Sequence, residues 1–234
     1  MRNWLVFLVV VGCAAGTMST QTGLIVDRPE FDFGVMPPGS TVRHRIGVIA
    51  VGQDTLEVRE IKTGCGCIVV SPENAVVPPG DTAFIDILWT LQDTAGTFSQ
   101  SSYLFSSAGQ DPYLIVMKAT CRSDRGQNDE SISVSPVRIV STIADTAGSR
   151  QFLTIRNFSD RNFAAEVVSS PFEGMDIRIP DSLPAGATEK AEILISPGAF
   201  PDKWRGSITI ELSDDQGAGK RLTIPVLIGN SRTQ

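Results

Sequence analysis

The sequence predicts an all-β protein: two tandem immunoglobulin-like β-sandwich domains after a short N-terminal signal segment. Three observations carry this expectation. Apolar residues come in short runs between turn signals, with 21 glycines and 14 prolines among 234 residues and no sustained helical period. The order of features between residues 24 and 121 recurs between residues 132 and 229. Each copy spans about one hundred residues, the size of a sandwich of some seven strands.

The N-terminus reads as an export signal. Arg2 supplies a positive charge, Trp4 to Val11 is uninterruptedly apolar, and Gly12-Cys13 is followed by Ala14, Ala15 and Gly16. The apolar run is shorter than the roughly 17 to 25 residues that span a bilayer. Val10-Val11-Gly12-Cys13 resembles the bacterial lipobox, which implies a signal peptide over 1–13 and lipidation of Cys13 by acyl chains such as palmitate. The alternative is an ordinary leader cysteine, with cleavage near Ala14 and Ala15. Several acyl chains together hold a protein firmly to a membrane. Residues 14–23, small and polar, then form a flexible tether. The implied location is the cell envelope, on the periplasmic side of an outer membrane or at the cell surface.

Each module can be followed strand by strand. In the first (24–121), Phe31 and Phe33 share one face of an opening strand and should plug a core, while Gly34 and Pro37-Pro38-Gly39 let the chain turn. Val42, His44, Ile46 and Val48 share a face opposite Arg43 and Arg45. Val77-Pro78-Pro79-Gly80-Asp81-Thr82 feeds a strand carrying Ile85, Ile87 and Trp89, and in the second module Leu183-Pro184-Ala185-Gly186-Ala187-Thr188 does the same. Gly96-Thr97-Phe98 and Trp204-Arg205-Gly206 each open a closing hairpin. The polar stretch 122–130 is a linker, the second module covers 131–230, and 231–234 is a tail. A single large barrel is the alternative fold, but it leaves the repeated order of turns unexplained.

Phe31-Asp32-Phe33-Gly34, Cys65-Gly66-Cys67 after a strand, Pro79-Gly80-Asp81 and the closing hairpin fall in an order that resembles the bacterial domain-of-unknown-function family 1573. That resemblance implies an immunoglobulin-like fold akin to the major-sperm-protein and ASH group, on an exported protein and without an established activity. The second module departs from it. Residues 134–139 lack the Phe-Asp-Phe-Gly string, and nothing replaces Cys65 and Cys67.

Assigning Cys13 to lipid leaves Cys65, Cys67 and Cys121, an odd number for an oxidising compartment. Three readings stand open. One of Cys65 or Cys67 pairs with Cys121, or the two pair with each other; the two thiolates take a soft metal such as Cu(I), with His44, Met36 and Met117 as the other soft or imidazole side chains of the module; or they cycle as a redox pair. In a C-F-G sheet the strands before Cys65 and up to Cys121 run the same way. This places the motif at the end of the sandwich from which the linker leaves, facing the second domain. His44 lies on the apolar face, where a hydrogen-bonded core histidine competes with an additional ligand.

The formal net charge is −6 and the 20 basic residues are scattered, which argues against nucleic acid as a partner. No Gly-x-Ser-x-Gly turn occurs and the sole histidine faces a core, which argues against a hydrolase. The expected function is therefore non-enzymatic: a lipid-anchored binding, adhesion or scaffold module for a protein or glycan, without a cofactor. Copper handling or thiol redox through Cys65 and Cys67 is the alternative.

Overall fold

A computed structural model of the chain describes residues 23–72, 75–122, 131–143, 148–169, 174–200 and 203–230. The signal segment with Cys13, all but the last residue of the tether, all but the first of the linker and the tail lie outside them. Every regular element among the described residues is a strand, and none is a helix long and apolar enough to cross a membrane. The first half of the chain runs β1 (Gly23–Val26), β2 (Glu30–Met36), β3 (Thr41–Val51), β4 (Leu56–Thr63), β5 (Ile68–Ser71), β6 (Ala75–Val77), β7 (Thr82–Thr90), β8 (Gly96–Ser106) and β9 (Tyr113–Cys121). The second runs β10 (Ile132–Ser135), β11 (Ile139–Ile143), β12 (Ser149–Asn157), β13 (Phe163–Ser169), β14 (Met175–Arg178), β15 (Ser182–Leu183), β16 (Thr188–Ile195), β17 (Lys203–Asp214) and β18 (Gly219–Asn230).

The two halves have the same wiring. A four-stranded sheet β1-β3-β7-β5 faces the strands β2-β9-β8-β4-β6, and in the second half β10-β12-β16-β14 faces β11-β18-β17-β13-β15. In each half the second strand joins the last in parallel, β2 with β9 and β11 with β18. Nine strands per half replace the expected seven because short edge strands such as β6 and β15 carry too few residues to show a period in sequence. No sheet closes into a barrel. Alternation decides which side chains meet: Val42, Ile46 and Val48 of β3 face Ile85, Ile87 and Trp89 of β7 inside one core, while Leu153 and Ile155 meet Ala191 and Ile193 in the other. The repeated Pro-x-Gly turns also agree, since Gly80 (φ 80°) and Gly186 (φ 68°) both adopt the left-handed region that a side chain disfavours.

The halves are not beads on a linker. Strand β2 pairs with β9 on one side and, through Val35 and Leu222, with β18 on the other, so one twisted sheet runs through both halves. Val35 packs into the second core although Phe31, Phe33 and Met36 of the same strand pack into the first. A register shift between Asp32 and Val35 makes that switch of faces. Gly34, expected at a turn, lies instead inside β2 at the joint, with φ 67° and no room for a β-carbon against the backbone of Arg221. Around it, the Thr223 hydroxyl donates to the Phe33 carbonyl and Arg221 Nη1 donates to the Asp32 carbonyl at 3.2 Å. Ser207, Thr209 and Thr223 point away from the second core yet are buried, and the Arg43 amide of β3 donates to Ser207 Oγ at 3.2 Å. Small hydroxylated side chains there let the backbones approach and satisfy the polar groups that the approach buries.

Candidate functional site

Strand β4 belongs to the larger sheet and β5 to the smaller, so residues 64–67 must cross from one layer to the other at the end of the sandwich. The crossing is held by backbone bonds: Gly64 N–H donates to the Ser101 carbonyl, Ile68 N–H to the Cys65 carbonyl, and Thr90 N–H to the Cys67 carbonyl. Within this frame Cys65 and Cys67 are joined as a disulfide, with α-carbons 5.2 Å apart. Both residues are half-buried against the first core, while Gly64 and Gly66 are exposed. The Cys67 amide donates to Cys65 Sγ at 3.3 Å. A β-carbon at Gly66 would meet nothing within 4 Å, so the bridge has an open flank there.

A link between residues two positions apart restricts the unfolded chain little, worth about 1.5 kcal/mol on the loop-entropy scale against about 3 kcal/mol for a fifteen-residue loop. Stapling is a weak use for such a bridge.

Cys121 stands apart from it, as a free and buried cysteine. Strands β4 and β9 do run parallel on either side of β8, but β4 stops at Thr63 opposite Ser102, whereas β9 continues until Cys121 is opposite Gly96. Six residues of strand, roughly 20 Å, separate those levels, far beyond the reach of a disulfide. Burial pushes the Cys121 thiol above its ordinary pKa, which leaves it a packing group beside Met36. The halves join at two places. Along the larger sheet β8, β9 and β2 lie between β4 and β18, about four strand spacings or ~19 Å; on the smaller sheet Cys67 stands level with Thr90 and Thr41, two strands from β3, whose Arg43 amide bonds Ser207 of the second half. The lateral joint arises because β2 inserts between β9 and β18, a pairing that strand direction alone does not disclose.

His44 lies inside the first core. Its Nε2 hydrogen-bonds the Arg28 carbonyl at 3.0 Å, and its ring stacks on Phe31 with centroids 4.6 Å apart. Its register partners are Ile87 and, beyond, Val70, placing it two strands across from and three residues past Cys67, roughly 14 Å away. Met36 and Met117 are likewise buried in that core. Among the described residues, no three His, Cys, Asp or Glu side chains gather so as to hold a metal ion.

Burial pushes the His44 imidazole below its ordinary value of 6.5, with the Arg28 carbonyl bond opposing in part. As pH falls the unfolded chain therefore takes up the proton first. The His44 contribution to stability is complete above about pH 6.5 and is lost progressively as pH drops towards the folded value. Thermal melts between pH 7.5 and 5 should show the Tm of the natural chain falling more steeply than that of a His44→Gln variant; parallel curves would refute this.

The fold and the site together define the class: an immunoglobulin-like β-sandwich protein whose distinctive chemical feature is a Cys65–Cys67 disulfide in the segment that crosses between its sheets. Residues 24–121 match the model of the family described as "Protein of unknown function (DUF1573)". No curated protein matches the chain. Among solved structures it is similar to a protein of unknown function from Porphyromonas gingivalis W83, with 10% identity over 87% of this chain and 98% of that one and a TM-score of 0.36. The ASH / PapD-like domain 7 of human CEP192 gives 10% identity over 51% and 98%, with a TM-score of 0.36. WR4, a C. elegans MSP family member, gives 12% identity over 44% and 99%, with a TM-score of 0.30. None of these likenesses bears on what the chain does.

Proposed function

We propose that this chain is an exported, lipid-tethered β-sandwich protein that acts by binding, as an adhesion or scaffold module for a protein or glycan, and not by catalysis. The observation that carries the reading is the outward face of the β1-β3-β7-β5 sheet. Phe84 is 61% exposed, Val69 61% and Ile25 53%, and all three sit on the same face as Arg45 and Asp86, which are paired at 2.9 Å. The corresponding face of the second half is more charged, with Arg150, Arg178, Glu192 and Asp176 around the exposed Phe152 and Arg156 over the ring of the exposed Phe158. Large apolar groups grouped on one sheet face favour contact with another molecule. The joint through β2 presents that face at a fixed orientation. Cys13, as the acyl anchor, keeps it at the envelope membrane.

Two measurements test the reading. A photo-crosslinking residue at Phe84, introduced in growing cells, should give a discrete adduct that the same residue at Arg150 does not. Cys13→Ser should abolish acyl labelling and shift the protein from the membrane fraction to the soluble one. Equal adducts from both faces, or unchanged fractionation, would refute the corresponding half of the proposal.

A further inference from the structure

We infer that the Cys65–Cys67 bridge is a thiol–disulfide exchange site whose substrate is a dithiol carried on an extended segment of another polypeptide. Three observations converge on it. The bridge closes so short a loop that it does little for stability, it is only half-buried, and the flank at Gly66 is open. Strand β5, which begins directly after Cys67, is the outer strand of its sheet, so its far edge offers unpaired backbone groups. An extended segment adding to that edge runs alongside Cys67. The third observation concerns the leaving group. The Cys67 amide points at Cys65 Sγ, so it stabilises negative charge on that sulfur when the bridge opens.

These features set the direction of the reaction. A thiolate of the substrate attacks Cys67 Sγ, forming a mixed disulfide, and the Cys65–Cys67 bond breaks with its electron pair passing to Cys65 Sγ, which leaves as a thiolate under the Cys67 amide. The second substrate thiolate then attacks its partner's sulfur in the mixed disulfide and releases Cys67 as a thiolate. The substrate loses two electrons and its two thiol protons to become a disulfide. Cys65 and Cys67 gain the two electrons and, after protonation, stand as two thiols. Cys121, buried on another strand, takes no part.

The test uses the oxidised, purified chain and synthetic peptides of strand-forming sequence. A peptide with two cysteines should be converted to its disulfide, one per protein molecule, as two alkylatable thiols appear at Cys65 and Cys67. A peptide with a single cysteine cannot complete the second step; with the released Cys65 thiol trapped by alkylation so that it cannot expel the peptide, the peptide should remain attached, with mass mapping placing it on Cys67. A two-cysteine peptide with prolines in place of its strand-forming residues should react at least tenfold more slowly. A bridge that stays intact for hours under a hundredfold excess of dithiol peptide would overturn the exchange site. Attachment at Cys65 would overturn the assigned leaving group, and equal rates for the proline peptide would overturn docking along β5. Each result is independent of the crosslinking at Phe84.

Discussion

Replacing Gly34 by alanine is expected to destabilise the protein by about 3 kcal/mol or more and to loosen the joint between its halves. Two costs combine. The backbone there has φ 67°, where a β-carbon costs about 1–2 kcal/mol. That β-carbon would also overlap the carbonyl oxygen and carbon of Arg221, which are backbone and cannot rotate aside, and crowd its Cβ. Relief requires β2 to part from β18. Parting loosens the Thr223 hydroxyl bond to Phe33, the Arg221 bond to Asp32 and the contact of the Arg221 guanidinium with the Phe31 ring at 5.3 Å. Gly80→Ala is the internal comparison, because φ is 80° there but a β-carbon meets nothing within 4 Å. Only the backbone cost applies, about 1 kcal/mol. Urea titrations of both variants should therefore show a much larger fall in midpoint for Gly34→Ala. Equal falls would mean that the joint contributes nothing.

The second large effect is expected at Asn157, which is fully buried in the second half. Its Nδ2 donates to the carbonyls of Arg161, Leu183 and Pro184, and its Oδ1 accepts from the amide and hydroxyl of Ser159. One side chain thus ties the end of β12 to the loop after it and to the turn before β16. In the first half Ala50 occupies the matching place, judged by its own backbone bond to Asp81 where Asn157 bonds Ala187. Asn157→Ala strips several buried groups of their partner at about 1–3 kcal/mol each, partly offset by water, so a loss of about 3–5 kcal/mol follows. Asn157→Asp should be worse at neutral pH, since it sets a carboxylate against three carbonyl oxygens. Thermal denaturation of the two variants checks both the size and the order; an aspartate variant as stable as the alanine one would contradict the network.

Much of this was legible in the residues alone. Alternation along β3 and β7 placed Val42, Ile46, Ile85, Ile87 and Trp89 inside, and the structure buries all of them. The paired Pro-x-Gly turns announced the duplication that the identical strand order then displays. Spacing of two brought Cys65 and Cys67 within reach of each other, and the inward face of β3 accounted for His44. These are properties of neighbours in the chain, where side-chain period and turn chemistry act over a few residues.

What the tertiary structure alone decided involves partners far apart in sequence. Arg221 reaches Asp32 across 189 positions, and nothing in the local pattern of either strand names the other. Gly34 read as a turn residue because its real constraint is the backbone of a strand in the other half. Cys121 looked like a partner for Cys65 or Cys67 until the extent of β9 beyond the end of β4 separated them. Strand direction can be inferred from topology, but where one strand stops against another, and which edge of a sheet receives a second module, depends on long-range backbone pairing and close packing. Those forces leave no period in the sequence, so only the assembled sheet could disclose that the two halves share it.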